Sequence, residues 1–101
     1  MNYTQYAGKA MISQPMRGKT DQEIVETREK ALGVLRDKGY MVVNTLFTND
    51  AKGPLWFLGE ALKAMSQCNA VYFCKGWENA RGCKIEHEAA VEYGLHIMYE
   101  E

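Results

Sequence analysis

Four short stretches of the chain are almost continuously apolar, and the three longer segments between them carry apolar residues at helical spacing. The runs are AMIS (Ala10–Ser13), YMVVNT (Tyr40–Thr45), AVYFC (Ala70–Cys74) and LHIMYE (Leu95–Glu100). They lack the apolar–polar alternation of half-exposed strands, so they predict strands covered on both faces.

The first helical segment opens at TDQE. Thr20 and Glu23 have capping-box spacing, Ile24, Ala31, Leu32 and Leu35 form an apolar stripe, and Gly39 ends the helix. Pro54, favoured in a first turn, opens a second helix with Leu55, Leu58, Leu62 and Met65 at helical spacing. A third starts around Gly82–Cys83 and ends at Gly94, with Ile85, Ala89 and Tyr93 as its expected inward face.

Alternation of these elements predicts a compact α/β domain, Rossmann/flavodoxin-like, with a four-stranded parallel sheet flanked by three helices and right-handed crossovers. By analogy with doubly wound folds the strand order is 2-1-3-4, which gathers the loops after the first and third strands at one sheet edge. Residues 9–101 form this single domain, and the polar stretch 1–8 reads as an N-terminal extension.

Composition narrows the function. A chain of 101 residues, 47% hydrophobic and 25% charged, is an ordinary folded domain. Its formal net charge of −1 argues against an electrostatic grip on a nucleic acid polymer or an anionic membrane, so an anionic ligand must be held by local donors. No apolar run approaches the ~20 residues that cross a bilayer, and the N-terminus lacks the apolar core of a secretion signal. Cys68, Cys74 and Cys83 have no framework spacing and suit reduced thiols in a cytoplasm.

Two loops hold the candidate chemistry. In SQPMRGK, Ser13, Gln14, Pro15, Met16, Arg17 and Lys19 lie between a strand and a helix, a setting that cradles phosphate or sugar; the competing reading is a polar turn that initiates the helix. In KGWENARG, Gly76, Trp77, Asn79, Arg81 and Gly82 follow the third strand. Trp77 offers a flat face to a base, and Arg81 a fork for phosphate or a carboxylate; Trp56 reads as core.

Glu86 is expected in the first turn of the third helix, aimed at the cleft, where a carboxylate can serve as nucleophile or general base. Offsetting the helix dipole would account for it equally. Glu88 and Glu92, four apart, read as a solvated face. Cys83 and His87 are one helical turn apart and Cys74 is near in sequence, but there is no Cys-x-x-Cys pair, and nothing in the chain calls for a metal or a cofactor.

The segments MISQPMRGKTDQEI and VYFCKGWENARGCKIEHEAAVEYGLHIMYE, with the helix between them, resemble the DUF4406 family of small proteins often encoded by phages and bacteria. That family is similar to the nucleoside 2-deoxyribosyltransferases, in which a glycine-led helix carries the glutamate that attacks the sugar. The resemblance implies that Gly82 and Glu86 form this G-x-x-x-E pattern, with Glu86 the catalytic nucleophile. The chain departs from those enzymes at Ala80, where an acid assists the leaving base, at Met11, where a tyrosine orients the nucleophile, and at Glu88, where a small residue stands.

Two functions follow as expectations. In one, Glu86 cleaves or transfers the N-glycosidic bond of a nucleoside or nucleotide, with Arg17, Lys19 and Arg81 on phosphate and Trp77 shaping the base pocket. In the other, the same cleft holds a nucleotide or an ADP-ribose-like signal without turnover, as a phage counter-defence sponge would. Either expectation includes a homo-oligomer, dimer or higher, since sheet edges and helix faces are left to be covered. The segment LFTNDAKG (Leu46–Gly53), with Asn49 and Asp50 at its tip, is the expected lid or donated segment.

Overall fold

The structure, a computed structural model, describes residues 7–101. Its elements are β1 (Gly8–Ser13), α1 (Asp21–Asp37), β2 (Tyr40–Val42), α2 (Pro54–Met65), β3 (Ala70–Phe73), a single 3-10 turn (Trp77–Asn79), α3 (Arg81–Glu92) and β4 (His96–Tyr99). Of the expected extension over residues 1–8, residues 1–6 lie outside the described residues, while Gly8 begins β1.

All strand pairs are parallel, in the order β2-β1-β3-β4. The expected α/β architecture and strand order are those observed. Central β1 and β3 are buried because helices cover both faces, which is why their sequences show no alternation.

Pleating divides the core in two. Ala10, Ile12, Ala70, Tyr72 and Cys74 face Ala31 and Leu35 of α1. Met11, Val71 and Phe73 face Ala61 and Met65 of α2 and Ala90 of α3. Helix α1 therefore covers one face, and α2 and α3 the other. The chain changes face between β1 and β3, a topological switch point that opens a crevice at the strands' carboxyl ends.

Helix α1 starts where its capping box requires. Thr20 Oγ1 accepts from Glu23 N at 3.1 Å, and Glu23 Oε1 accepts from Thr20 N at 3.2 Å. Helices α2 and α3 have no side-chain cap; their N-caps are Gly53 and Ala80, and neither first turn holds an acid.

The phase of α3 differs from the expected one. Ile85 (42% exposed) and Tyr93 (84%) face outward, and the buried residues are Cys83, Glu86 and Ala90. Leu55, expected in the α2 stripe, is 79% exposed, while Ala61, Ala64 and Met65 are buried. Ala61, Ala64 and Ala90 share the inward packing with Met65, while Leu55, Ile85 and Tyr93 lie outside that contact.

Candidate functional site

Ser13 ends β1 on the α3 side of the sheet, paired in register with Phe73. Continuing the alternation, Gln14 turns to the α1 side, as its contacts with Ile24 and Arg28 show. The two residues after this strand thus serve opposite faces of the crevice.

Above them lies a cleft of about 1240 Å³. It takes lining residues from the β1–α1 loop, α1, the segment after β2, both uncapped helix N-termini and the loop after β3. Its floor is buried, with Ile12, Gln14, Arg28, Thr45, Cys83 and Glu86, whereas Met16, Arg17, Lys19 and Arg81 are exposed at the rim.

The loop after β3 is set by backbone geometry. Gly76 has φ of 90°, in the left-handed region, and bridges to the 3-10 turn through Asn79 N donating to Gly76 O at 3.0 Å. Lys75 N donates to Glu100 Oε1 at 2.8 Å, fastening this loop to the end of β4. Asn79, Ala80, Arg81 and Gly82 are thereby presented to the cleft.

Glu86 sits in the second turn of α3, one turn later than expected, because the helix already begins at Arg81. Helical side chains lean toward the N-terminus, and the carboxylate accordingly reaches back over Gly82: a Cβ added there would lie 3.8 Å from Glu86 Oε2. The residue is 9% exposed, and burial pushes its pKa up to about 7. The neighbouring Ser13 hydroxyl offsets part of that rise. Ser13 Oγ is buried and, among the described residues, makes no well-formed hydrogen bond. Both observations fit a hydroxyl beside the carboxyl in poor alignment, free to turn toward a third group.

Cys83 shares this corner, where burial raises its thiol pKa to about 11. Cys74 lies in the core cluster on the α1 side, and burial raises its thiol to about 12. Both thiols stay protonated near neutrality, which makes them packing groups rather than nucleophiles. Among the described residues no three His, Cys, Asp or Glu side chains cluster as metal ligands.

Of the residues singled out in the sequence, Gln14, Pro15, Met16, Arg17, Lys19, Gly76, Asn79, Arg81, Gly82 and Glu86 line the cleft. Ser13 lies just behind the lining, beside Glu86. Trp77 is not part of the lining. Its ring stacks on His87, with centroids 4.0 Å apart and planes 18° apart, and packs with Phe73 and Tyr99. His87 Nε2 and the Tyr99 hydroxyl hydrogen-bond at 2.7 Å. An aromatic neighbour one turn along α3 claims the indole face that a base would have used.

Two floor residues escaped the sequence reading. Arg28, on α1, is 8% exposed, with Nε donating to Gln14 Oε1 at 3.1 Å and Nη2 to Thr45 Oγ1 at 3.4 Å. Thr45 in turn donates to Ile12 O at 3.0 Å. The sequence held a signal for Arg28: it interrupts the apolar stripe Ile24, Ala31, Leu35 at an inward position. A charged residue where the period demands an apolar one marks a buried function.

The family model for the domain of unknown function DUF4406 matches residues 8–99. The chain belongs to the DUF4406 family. No curated protein and no solved structure matches it. The match spans every element of this DUF4406 domain and all the cleft residues named above. No helix is long and apolar enough, among the described residues, to cross a membrane.

The lining of the DUF4406 cleft carries four cations, Arg17, Lys19, Arg28 and Arg81, against the single carboxyl of Glu86. On a protein of net charge −1 this is a local concentration of positive potential. The uncapped first turn of α3 adds backbone N–H donors along the same wall. The arrangement suits an anionic ligand with an apolar portion against Phe47, Phe57 and Leu58.

Proposed function

We propose that this protein binds a nucleotide-like molecule in the cleft and cleaves or transfers its N-glycosidic bond through Glu86. The observation that carries the reading is a buried carboxyl, with pKa near 7, placed in a cleft whose other charged lining groups are all cations. Arg17, Lys19 and Arg81 hold phosphate at the rim, and the sugar lies over Gly82 against the Glu86 carboxylate. The likeness of Gly82 and Glu86 to the G-x-x-x-E pattern of the nucleoside 2-deoxyribosyltransferases supports the same assignment.

In this mechanism ionised Glu86 attacks the anomeric carbon. An ester bond forms to the sugar as the carbon–nitrogen bond breaks, and its electron pair leaves with the base. Asn79, on the cleft wall, donates a hydrogen bond to the departing base, which takes its proton from solvent. Water then releases the sugar from Glu86, or a second base accepts it. Ser13 turns its hydroxyl to the carboxylate while that group is ionised, before attack and again once the sugar has left.

One observation favours a second reading, in which the cleft binds without turnover. Ala80 lines the cleft at the place where the deoxyribosyltransferases carry an acid, so no carboxylic proton donor stands beside the leaving base. A phage-type sponge for an ADP-ribose-like signal has no need of one.

In either case we place the protein in a cytoplasm, in keeping with three free, buried cysteines, and as a homo-oligomer. An apolar groove lined by Leu55, Leu58 and Ile85 adjoins the cleft mouth, and Arg81 and Gly82 border both. A second copy seated there would reach the site. The segment from Leu46 to Gly53, which gives Phe47 to the cleft lining, is the lid in this account.

Capture and release tests the assignment. The protein is mixed with nucleosides, deoxynucleotides and ADP-ribose derivatives, stripped of free ligand, denatured and read by mass spectrometry beside Glu86→Gln. Free base from the wild type alone supports catalysis at Glu86. Intact ligand from both proteins identifies a binder, and nothing retained or cleaved overturns both readings.

A further inference from the structure

Arg28 is the buried cation in the cleft, and glycosidic chemistry leaves it unused. Its surroundings determine what it offers a ligand. Gln14 Nε2 donates to the backbone carbonyl of Ile24, at 2.6 Å, while Gln14 Oε1 accepts from Arg28 Nε. The amide is therefore fixed in orientation and its acceptor is engaged. The one proton of the Thr45 hydroxyl goes to Ile12 O, and its oxygen accepts from Arg28 Nη2. What this network mainly has left to give the cleft is N–H, from the guanidinium and from the second proton of the Gln14 amide, beside one remaining lone pair each on Gln14 Oε1 and Thr45 Oγ1.

A guanidinium buried for structural reasons is ordinarily matched by a carboxylate, since neutral acceptors leave its charge uncompensated. Among the described residues the ion pairs are Lys30–Glu100 and Lys63–Glu60, neither of which involves Arg28. Glu86 lines the same cleft but reaches it from the opposite face of the sheet. The missing counter-group thus belongs to something that enters the cleft.

We propose that Arg28, braced by Gln14 and Thr45, is a specificity site for an acceptor-only oxygen of the ligand, either the oxo edge of a nucleobase or a phosphate oxygen. The proposal rests on the nucleotide reading given above and extends it to the ligand's identity. Since a neutral oxo group would leave the guanidinium's charge uncompensated, phosphate is the source for which the floor is set. The base oxo edge is the other source, and it would favour uracil over cytosine and hypoxanthine over adenine, because an exocyclic amino group in that place would bring N–H against the guanidinium N–H.

The test uses the full chain carrying Glu86→Gln, so that ligands stay intact, and calorimetric titration. Deoxyuridine and deoxycytidine monophosphates form one pair, deoxyinosine and deoxyadenosine monophosphates another, and ADP-ribose is a fifth ligand. The members of each pair are expected to bind alike, and Arg28→Met to weaken every ligand about tenfold. That variant loses a buried charge but also the donors to Gln14 Oε1 and Thr45 Oγ1, so its melting temperature is measured beside the affinities. Arg28→Lys, which keeps the charge and loses the fork, should restore part of the affinity. If instead the oxo member of each pair binds at least about tenfold tighter and Arg28→Met erases that preference, the oxygen recognised is the base oxo edge. If the ligands bind but Arg28→Met leaves their affinities within about twofold, or acts only by lowering the melting temperature, Arg28 is structural and the proposal is overturned while the nucleotide reading stands. If none of the five binds, both fall.

Discussion

Arg28 and Glu86 enter one cleft from opposite faces of the sheet and do not pair with each other. Burial works against the charged form of both side chains, holding the carboxyl near pKa 7 and weakening the guanidinium's hold on its proton. A fold at rest gains nothing from two separated, desolvated ionisable groups. A ligand that bridges them gives each a partner, which is the physical basis for placing the site here.

Glu86 makes stability depend on pH with a definite sign. Its pKa in the folded protein, about 7, lies above that of an unfolded carboxyl, so the native state binds the extra proton between the two values. Stability is therefore full below the unfolded pKa and is lost as pH rises toward 7, by on the order of 3 kcal/mol. Glu86→Gln removes the titration. Urea denaturation at pH 5 and pH 8 should show the variant gaining on the wild type at the higher pH. As a nucleophile Glu86 must be ionised, so turnover should rise with pH through the same range.

The rim cations should act together and through charge. Arg17→Ala and Arg81→Ala are each expected to weaken nucleotide binding about tenfold at low salt and to flatten its salt dependence, with melting temperatures unchanged. Both are exposed and neither makes an ion pair among the described residues. Calorimetry at two ionic strengths checks both effects.

Trp77→Ala separates the sequence expectation from the observed placement. With its ring stacked on His87 and packed on Phe73 and Tyr99, the indole supports α3 and β4 rather than a ligand. Its loss should cost about 2 kcal/mol of stability and leave ligand affinity within about twofold. Chemical denaturation and titration of the same sample read both quantities.

The groove beside the cleft mouth gives a prediction for assembly. Leu55, 79% exposed, and Ile85 belong to an apolar strip that a second copy would cover. Light scattering should report a mass above the 11.5 kDa of one chain, and Leu55→Glu should lower it.

Much of the fold was legible in the sequence because local rules and burial agree there. The apolar runs at Ala10–Ser13 and Ala70–Cys74 lie in central strands, and Thr20 with Glu23 marks the start of α1 by hydrogen bonds that both side chains make. Apolar phase misled where bulk lies outside and chemistry inside. Helix α3 turns Cys83, Glu86 and Ala90 inward and leaves Ile85 and Tyr93 exposed, because its rotation is set by the cleft and by close packing of small residues. The same cause hid Arg28. A reading that collects polar residues from loops overlooks one placed mid-helix on the buried stripe, although its break in the apolar period was visible.

The central claim is that Glu86 bonds to the sugar of a nucleotide held in this cleft. It is tested most directly with a nucleotide bearing fluorine at C2 of the sugar, which slows release of a glycosyl ester. After incubation and acid quench, the intact mass of the protein is measured and the modified peptide sequenced. The account requires a mass gain equal to one fluorinated sugar phosphate, on Glu86, absent from Glu86→Gln. An unmodified protein that nonetheless retains the nucleotide, or an adduct on any other residue, would contradict it.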